Sequence, residues 1–134
     1  MIVLLILAAS SAATSPRSHC ESQSLPSQAE MNRCSALRAQ AADAIMAREW
    51  DRASLAMKRL DGDPEASHTG RGSYFSALLT SQRAWLKFRA AECGLEGYAN
   101  RGGTLQPMTE SDCYWQVTTK RSQQLRDLRA SFGE

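Results

Sequence analysis

The segment from Ser81 to Cys93 constrains the fold of this chain more than any other. It reads SQRAWLKFRAAEC, with large residues spaced three and four apart. On a helix, Gln82, Trp85 and Arg89 share one face, because residues at i, i+3 and i+7 lie nearly above one another. A guanidinium keeps its charge at any ordinary pH. This face must therefore meet a partner carboxylate inside the fold or present Arg and Trp to another molecule.

Helical spacing also dominates the residues before this segment. A first helix is predicted to begin near Ser27, where Ser27 and Glu30 have the spacing of a capping box, and to run to about Leu60. The step from Ile45 to Trp50 departs from the three-to-four spacing. The first helix is therefore expected to be either continuous or broken at that step.

Two more helices are predicted after a linker at 61–72, which is rich in turn residues. The second runs from about Ser73 to Cys93 or Gly94, and a glycine-containing loop occupies 94–107. The third begins near Pro107 and continues with apolar residues three and four apart. Strand-like alternation is absent from the sequence. The fold class is therefore all-α, a bundle of three long helices, the first continuous or broken, cross-linked by disulfides.

The four cysteines are even in number, as in the disulfide framework of a small exported domain. Three connectivities are possible, and spacing alone does not choose between them. If the second and third helices are antiparallel, Cys93 and Cys113 are neighbours across the loop. Cys20 can likewise fold back on Cys34. We therefore predict the bonds Cys20–Cys34 and Cys93–Cys113.

The N-terminal apolar run MIVLLILAA is typical of a secretory signal peptide, with Ser11 and Ala13 before the cleavage point. This divides the chain into a signal peptide at 1–13, an extended segment at 14–26 and a helical domain at 27–134. The run is shorter than the roughly 20 residues that span a bilayer. We therefore expect a periplasmic or secreted protein with no stable membrane anchor after cleavage.

Charge and residue types exclude several function classes. The chain has 16 Lys and Arg against 14 Asp and Glu, a net charge of +2, and no basic run with interleaved aromatics, so a nucleic-acid partner is not expected. With the cysteines oxidised, no thiolate nucleophile remains. His19 and His68 fall outside the predicted helices, and no carboxylate spacing identifies an acid–base pair. No catalytic residue, metal site or cofactor is predicted.

Several segments together carry a family resemblance: SQAEMNRC at 27–34, SQRAWLKFRAAEC at 81–93, the glycine pair with a later proline, and Cys113 followed by TTKRSQQL. The chain resembles the LprI-like lysozyme-inhibitor family of exported bacterial helical domains. The resemblance implies a disulfide-bonded, all-α domain of the periplasm or cell surface, whose founding activity is inhibition of lysozyme. Two departures stand out, since Ala47 and Ala90 replace the Asn and Asp common in the family.

Two groups of residues are candidates for structure and for binding. The first is an interior network in which arginines on helix stripes require carboxylates; its members are Asp43, Gln82, Trp85, Arg89, Glu92 and Arg121. The alternative for these arginines is an exposed Arg and Trp surface that binds a partner. The second group lies in the 94–107 loop and would enter a lysozyme cleft; its members are Tyr98, Asn100, Arg101, Gly102 and Gly103.

A second function remains open beside lysozyme inhibition. The domain would then be a non-catalytic envelope module that binds peptidoglycan or another exported protein through Trp85, Trp115 or the loop. Trp115 lies next to Tyr114 and off the main stripe of the third helix, so we expect it to be partly exposed. Direct binding to purified glycan distinguishes this function from inhibition of lysozyme.

Overall fold

The computed structural model describes Cys20 and the residues 27–67 and 72–133. In these residues the backbone forms four α-helices and no strand: α1 (Gln28–Gly62), α2 (Pro64–Ser67), α3 (Tyr74–Gly97) and α4 (Gln106–Ser131). A short 3₁₀ turn, Tyr98–Asn100, follows α3 directly. The predicted all-α bundle of three long helices is confirmed. The predicted signal peptide, and the 14–26 segment apart from Cys20, lie outside the described residues.

The first long helix is continuous, and it begins as the sequence indicates. The Ser27 hydroxyl accepts a hydrogen bond from the Glu30 N–H at 3.3 Å, and the Glu30 carboxylate accepts one from the Ser27 N–H at 2.7 Å. The possible break between Ile45 and Trp50 does not occur, because α1 extends unbroken over 35 residues. The inward-facing residues at this step are Met46, which is 9% exposed, and Glu49, which is 6% exposed. Ile45 is 41% exposed, so it faces solvent and not the core.

The three long helices run up, down and up. Near the start of both α1 and α4, Ser35 donates a hydrogen bond to Asp112, and further along both helices Glu49 pairs with Arg129. These two contacts show that α1 and α4 are parallel. Helix α3 runs the opposite way, because its late residue Arg89 pairs with Asp43, which precedes Glu49 on α1. We call the end with the α3–α4 connection the loop end, and the opposite end, where α1 leads to α3, the linker end.

The core is small and concentrated between α1 and α4. Its buried centre contains Met46, Ala53, Ala56, Met57, Leu78 and Leu125. Alanines on α1 allow the neighbouring helix to approach closely, and each fully buried leucine contributes about 1.5–3 kcal/mol. Trp50 and Trp85 are half-buried against this centre, as expected for residues on helix stripes.

Both predicted disulfides are present. The Cα atoms of Cys20 and Cys34 are 5.6 Å apart, and those of Cys93 and Cys113 are 5.4 Å apart. The second bond is buried, with Cys93 0% and Cys113 2% exposed. It joins the end of α3 to the beginning of α4. Both cross-links therefore lie at the loop end of the bundle.

Candidate functional site

The α3–α4 connection is shorter than the predicted loop. Helix α3 continues past Cys93 to Gly97, the 3₁₀ turn occupies the next three residues, and α4 begins at Gln106. The predicted loop at 94–107 is therefore too long at its N-terminal end, whereas α4 begins within one residue of the predicted Pro107. We call residues 98–105 the recognition loop. Gly97 is buried under the side chain of Glu110, which a Cβ atom at this position would overlap. This glycine serves helix packing and does not form a turn.

Two of the predicted loop residues are exposed and contact each other. The Arg101 guanidinium lies over the Tyr98 ring, 4.9 Å from its centroid. Tyr98 is 55% exposed and Arg101 is also exposed. A cation stacked on an aromatic ring is held in a restricted orientation while its outer N–H groups remain available. The pair therefore forms a cationic, aromatic tip on the recognition loop.

The other three predicted loop residues shape the backbone. Asn100 is half-buried, and its side-chain amide donates to the Thr109 hydroxyl at 2.9 Å, so it anchors the loop to α4. Gly102 has φ of +76°, a left-handed conformation that favours glycine. The Gly103 N–H donates to the Asn100 carbonyl at 2.9 Å. These residues position the exposed tip instead of presenting side chains of their own.

The loop is also tied to α1. The Asn32 amide donates to the Thr104 carbonyl at 2.9 Å. The Gly102 N–H donates to the Gln106 side-chain oxygen at 2.9 Å, and the Cys93–Cys113 disulfide closes the base. All three contacts reduce the number of conformations open to the loop. A loop held this way loses less conformational entropy when it binds a partner.

Arg89 is enclosed by the bundle. It pairs with Asp43 of α1 and donates to the Thr118 hydroxyl of α4 at 2.9 Å. Its guanidinium lies 4.9 Å from the Trp85 ring centroid and 5.2 Å from that of Tyr114. The Arg89 side chain is only 15% exposed. The structure therefore brings Asp43, Trp85 and Arg89 together in a contact that joins all three long helices, with Asp43 on its solvent-exposed side.

Arg121 is held differently from Arg89. Its Nε donates to the Gln82 side-chain oxygen at 2.9 Å, and Nη2 donates to the Ser81 hydroxyl at 3.1 Å. No carboxylate of the described residues pairs with Arg121, so neither Asp43 nor Glu92 is its partner. Neutral oxygens satisfy the guanidinium in part, and burial lowers the pKa of Arg121 from its ordinary value. Glu92, also predicted in this network, forms no ion pair within the described part of the chain.

Sequence reasoning missed the largest ionic cluster of the described residues. The buried Glu49 carboxylate lies 3.1 Å from an Arg52 nitrogen, 3.6 Å from one of Arg126 and 3.0 Å from one of Arg129. Arg126 and Arg129 are three residues apart on α4, the spacing of one helix face. The signal in the sequence for this cluster was the spacing of the two arginines on α4, together with a glutamate, Glu49, on the inward-facing side of α1. One carboxylate among three guanidiniums joins α1 to α4 towards the linker end.

Trp85 and Trp115 differ in exposure. Trp85 is half-buried, with Arg89 and Arg121 on its ring, so it is not a free binding surface. Trp115 is 38% exposed, as expected. The Arg38 guanidinium lies 5.3 Å from its ring centroid and also pairs with Asp112 at 3.0 Å.

Across the described ranges, no group of three or more His, Cys, Asp or Glu side chains is placed to hold a metal ion. Within the same ranges, no helix combines the length and the apolar character needed to cross a membrane.

These features define a small, all-helical, disulfide-bonded domain with a tied loop that exposes a cation and an aromatic ring. The chain belongs to the LprI lysozyme-inhibitor family, because the family model described as "Lysozyme inhibitor LprI" matches residues 20–125. It is similar to an uncharacterized protein of Rhizobium meliloti (strain 1021), with 33% identity over 132 residues that cover 96% of this chain and 91% of that protein. No solved structure matches the chain significantly.

Proposed function

We propose that this protein is an exported, non-catalytic inhibitor of a lysozyme-type enzyme, and that it acts by inserting the recognition loop into the enzyme's cleft. Membership of the LprI family supports the class of partner. The observation that carries the mode of action is the exposed Arg101 guanidinium stacked on Tyr98 at the loop tip.

The chemistry of the tip is complementary to such a cleft. Glycoside hydrolases of this kind place two carboxyl groups on either side of the scissile bond. A guanidinium can donate two parallel hydrogen bonds to a carboxylate, which fixes both its position and its orientation. The flat Tyr98 ring can occupy a neighbouring sugar subsite by stacking. The inhibitor would thus occupy the positions of the substrate and the catalytic carboxylates together.

The experiment is a lysozyme assay that follows the clearing of a bacterial suspension in the presence of the purified, oxidised protein. The wild-type protein should slow clearing. Arg101→Glu should weaken inhibition at least about tenfold, because it places a carboxylate against carboxylates. The matched control is Arg83→Glu, the same change at an exposed arginine of α3 away from the loop.

The two variants give clear outcomes. If Arg101→Glu inhibits as well as the wild type, the loop tip does not enter the cleft. If Arg83→Glu loses inhibition to the same extent, general charge and not the loop controls binding. If the wild-type protein inhibits no lysozyme class at micromolar concentration, the function proposed here is wrong.

A second candidate function rests on Trp115. Its partly exposed ring, with Arg38 beside it, is a surface suited to stacking on a sugar or packing against another exported protein. In this case the protein is an envelope-binding module without lysozyme inhibition. Sedimentation with purified peptidoglycan tests it, and binding should fall at least about tenfold in Trp115→Ala and remain unchanged in Arg101→Glu.

A further inference from the structure

A groove lies between α3 and α4 towards the linker end, far from the recognition loop. Its volume is about 490 Å³, within the range typical of small-molecule sites. Met57, Leu78 and Leu125 contribute apolar walls. Tyr74 and Phe132 also line it, and their rings meet edge to face with centroids 5.7 Å apart. One end of the groove is therefore aromatic and apolar.

The opposite end of the groove is polar and cationic. Arg121, Ser81 and Gln124 line it. A guanidinium has five N–H donors, and those of Arg121 make three bonds to protein oxygens, to Gln82, Ser81 and, at 3.4 Å, to Gln124. Two N–H groups are left over. The same guanidinium has no ion pair with a carboxylate of the described residues.

Burial makes this cation receptive to an anion. The pKa of Arg121 is lowered because the guanidinium is partly removed from water. A carboxylate that paired with it would accept from the remaining N–H groups, one on each terminal nitrogen, and would offset that desolvation. Arg89, by contrast, already has Asp43 as its partner. Of the two arginines, Arg121 is thus the one with N–H groups still available to an external anion.

We propose that this groove binds an amphiphilic monocarboxylate of the medium-chain fatty acid class, with its carboxylate on Arg121 and its alkyl chain directed towards Tyr74 and Phe132. The arrangement of one cation at the end of an apolar channel complements one anion at the end of an apolar chain. The length of the channel suits a medium-chain acid. Arg121 and Phe132, the residue that follows α4, are eleven residues apart, which is about 16 Å at the helical rise.

The test is titration calorimetry of the purified, oxidised protein with decanoate, octanoate and decanol. Decanoate should bind more tightly than octanoate by about fourfold for each methylene, because each one buries additional apolar surface. Decanol, which has the same chain without the charge, should bind at least about tenfold more weakly than decanoate. Absence of decanoate binding below its micelle concentration would overturn the proposal.

Two variants locate the site. Arg121→Gln should reduce the affinity for decanoate at least about tenfold and leave that for decanol unchanged, because it removes the charge but retains donors for Ser81 or Gln82. Ala77→Phe fills the groove from an exposed position and should abolish binding of both ligands. Ala91→Phe, the same change at an exposed α3 position outside the groove, is the matched control.

The remaining outcomes each count against the site. Undiminished decanoate binding by Ala77→Phe would place the ligand elsewhere on the protein. Equal affinities for decanoate and decanol, unaffected by Arg121→Gln, would exclude recognition of the carboxylate. Helical circular dichroism of each variant identifies any loss of fold, and Ala77→Phe keeps the test decisive if Arg121→Gln does not fold.

Discussion

The two ends of the bundle are held together by different means. At the loop end, the Cys20–Cys34 and Cys93–Cys113 bonds fix the starts of α1 and α4 and the end of α3. At the linker end the connections are ionic and hydrogen-bonded, through Glu49 and Asp61, and no cysteine remains for a covalent one. A recognition loop benefits from a fixed base, because rigidity reduces the entropy lost on binding. The proposed ligand groove between α3 and α4 lies at the linker end and does not require a covalently fixed base.

Removing the Cys93–Cys113 disulfide should have the largest effect on stability and inhibition together. The Cys93→Ala, Cys113→Ala double variant opens a bond with a sequence separation of 20, and we expect a loss of about 3 kcal/mol in the free energy of unfolding. Urea unfolding measures the loss. Lysozyme inhibition should weaken as well, because the loop base is no longer closed.

The Cys20→Ala, Cys34→Ala double variant is the control for that experiment. Its separation of 14 predicts a similar loss of stability, about 3 kcal/mol, but this bond does not close the loop. Inhibition measured where both variants remain folded should therefore differ between them. Equal inhibition by the two would mean that the bond at the loop base contributes only stability.

At the linker end, Glu49→Ala should have the next largest effect. It leaves the guanidiniums of Arg126 and Arg129 close together without their carboxylate, and Arg129 is only 20% exposed. We expect a loss of about 2 kcal/mol, below the value for a fully buried pair because Arg126 contacts water. Asp51→Ala, an exposed carboxylate two residues away, should change stability by less than about 0.5 kcal/mol. Equal effects of the two variants would contradict an interior role for Glu49.

Midway between the ends, Asp43→Ala tests the Arg89 contact. Because the Asp43 side chain is 47% exposed, solvent screens the pair, and we expect a loss of about 1 kcal/mol. Glu92→Ala is the matched control, since Glu92 was predicted to share this network but makes no ion pair with either arginine. Thermal unfolding compares them. A larger loss in Glu92→Ala would show that Glu92, and not Asp43, is the predicted carboxylate that stabilises this network.

These contrasts show which parts of the molecule the sequence could predict. Helical period located the three long helices, and the expected antiparallel order of α3 and α4 placed Cys93 beside Cys113. The continuity of α1 at Ile45 to Trp50 was obscured because Ile45, which is exposed, was counted in place of the buried Met46, which lies four residues before Trp50. The buried Glu49 beside them was not expected, because it carries a charge. Interior ions break the rule by which apolar residues mark the core, and their partners lie on a different helix.

The candidate site was predictable in its residues but not in their roles. Arg101 and Tyr98 stand out by residue type, whereas the inward direction of Asn100 depends on Thr109, nine residues later in the chain. Arg121 shows the same limit. Its position on a stripe suggested a buried ion pair, but whether a carboxylate or neutral oxygens face it depends on how α3 and α4 pack.

The smallest predicted effect is a pH dependence at the linker end. The Asp61 carboxylate accepts hydrogen bonds from the Ser73 hydroxyl at 2.6 Å and from the N–H groups of Tyr74 and Phe75 at 2.6 and 3.1 Å. The Ser73 hydroxyl chiefly, and the two N–H groups, hold the pKa of Asp61 below its ordinary value of 3.8. The carboxylate is also favourably placed at the start of α3, where the helix dipole attracts negative charge.

Because the folded pKa is the lower one, this stabilisation is present above about pH 4 and is lost as the pH falls through the folded pKa. Asp61→Asn should therefore be less stable than the wild type at about pH 6, and the difference should shrink as unfolding is measured towards about pH 3. Asp127→Asn, an exposed acidic residue on α4, should show no such convergence. A constant difference between wild type and Asp61→Asn over this range would mean that Asp61 stabilises the start of α3 through hydrogen bonds alone. The two ends of the bundle would then differ in covalent fixation but not in their response to pH.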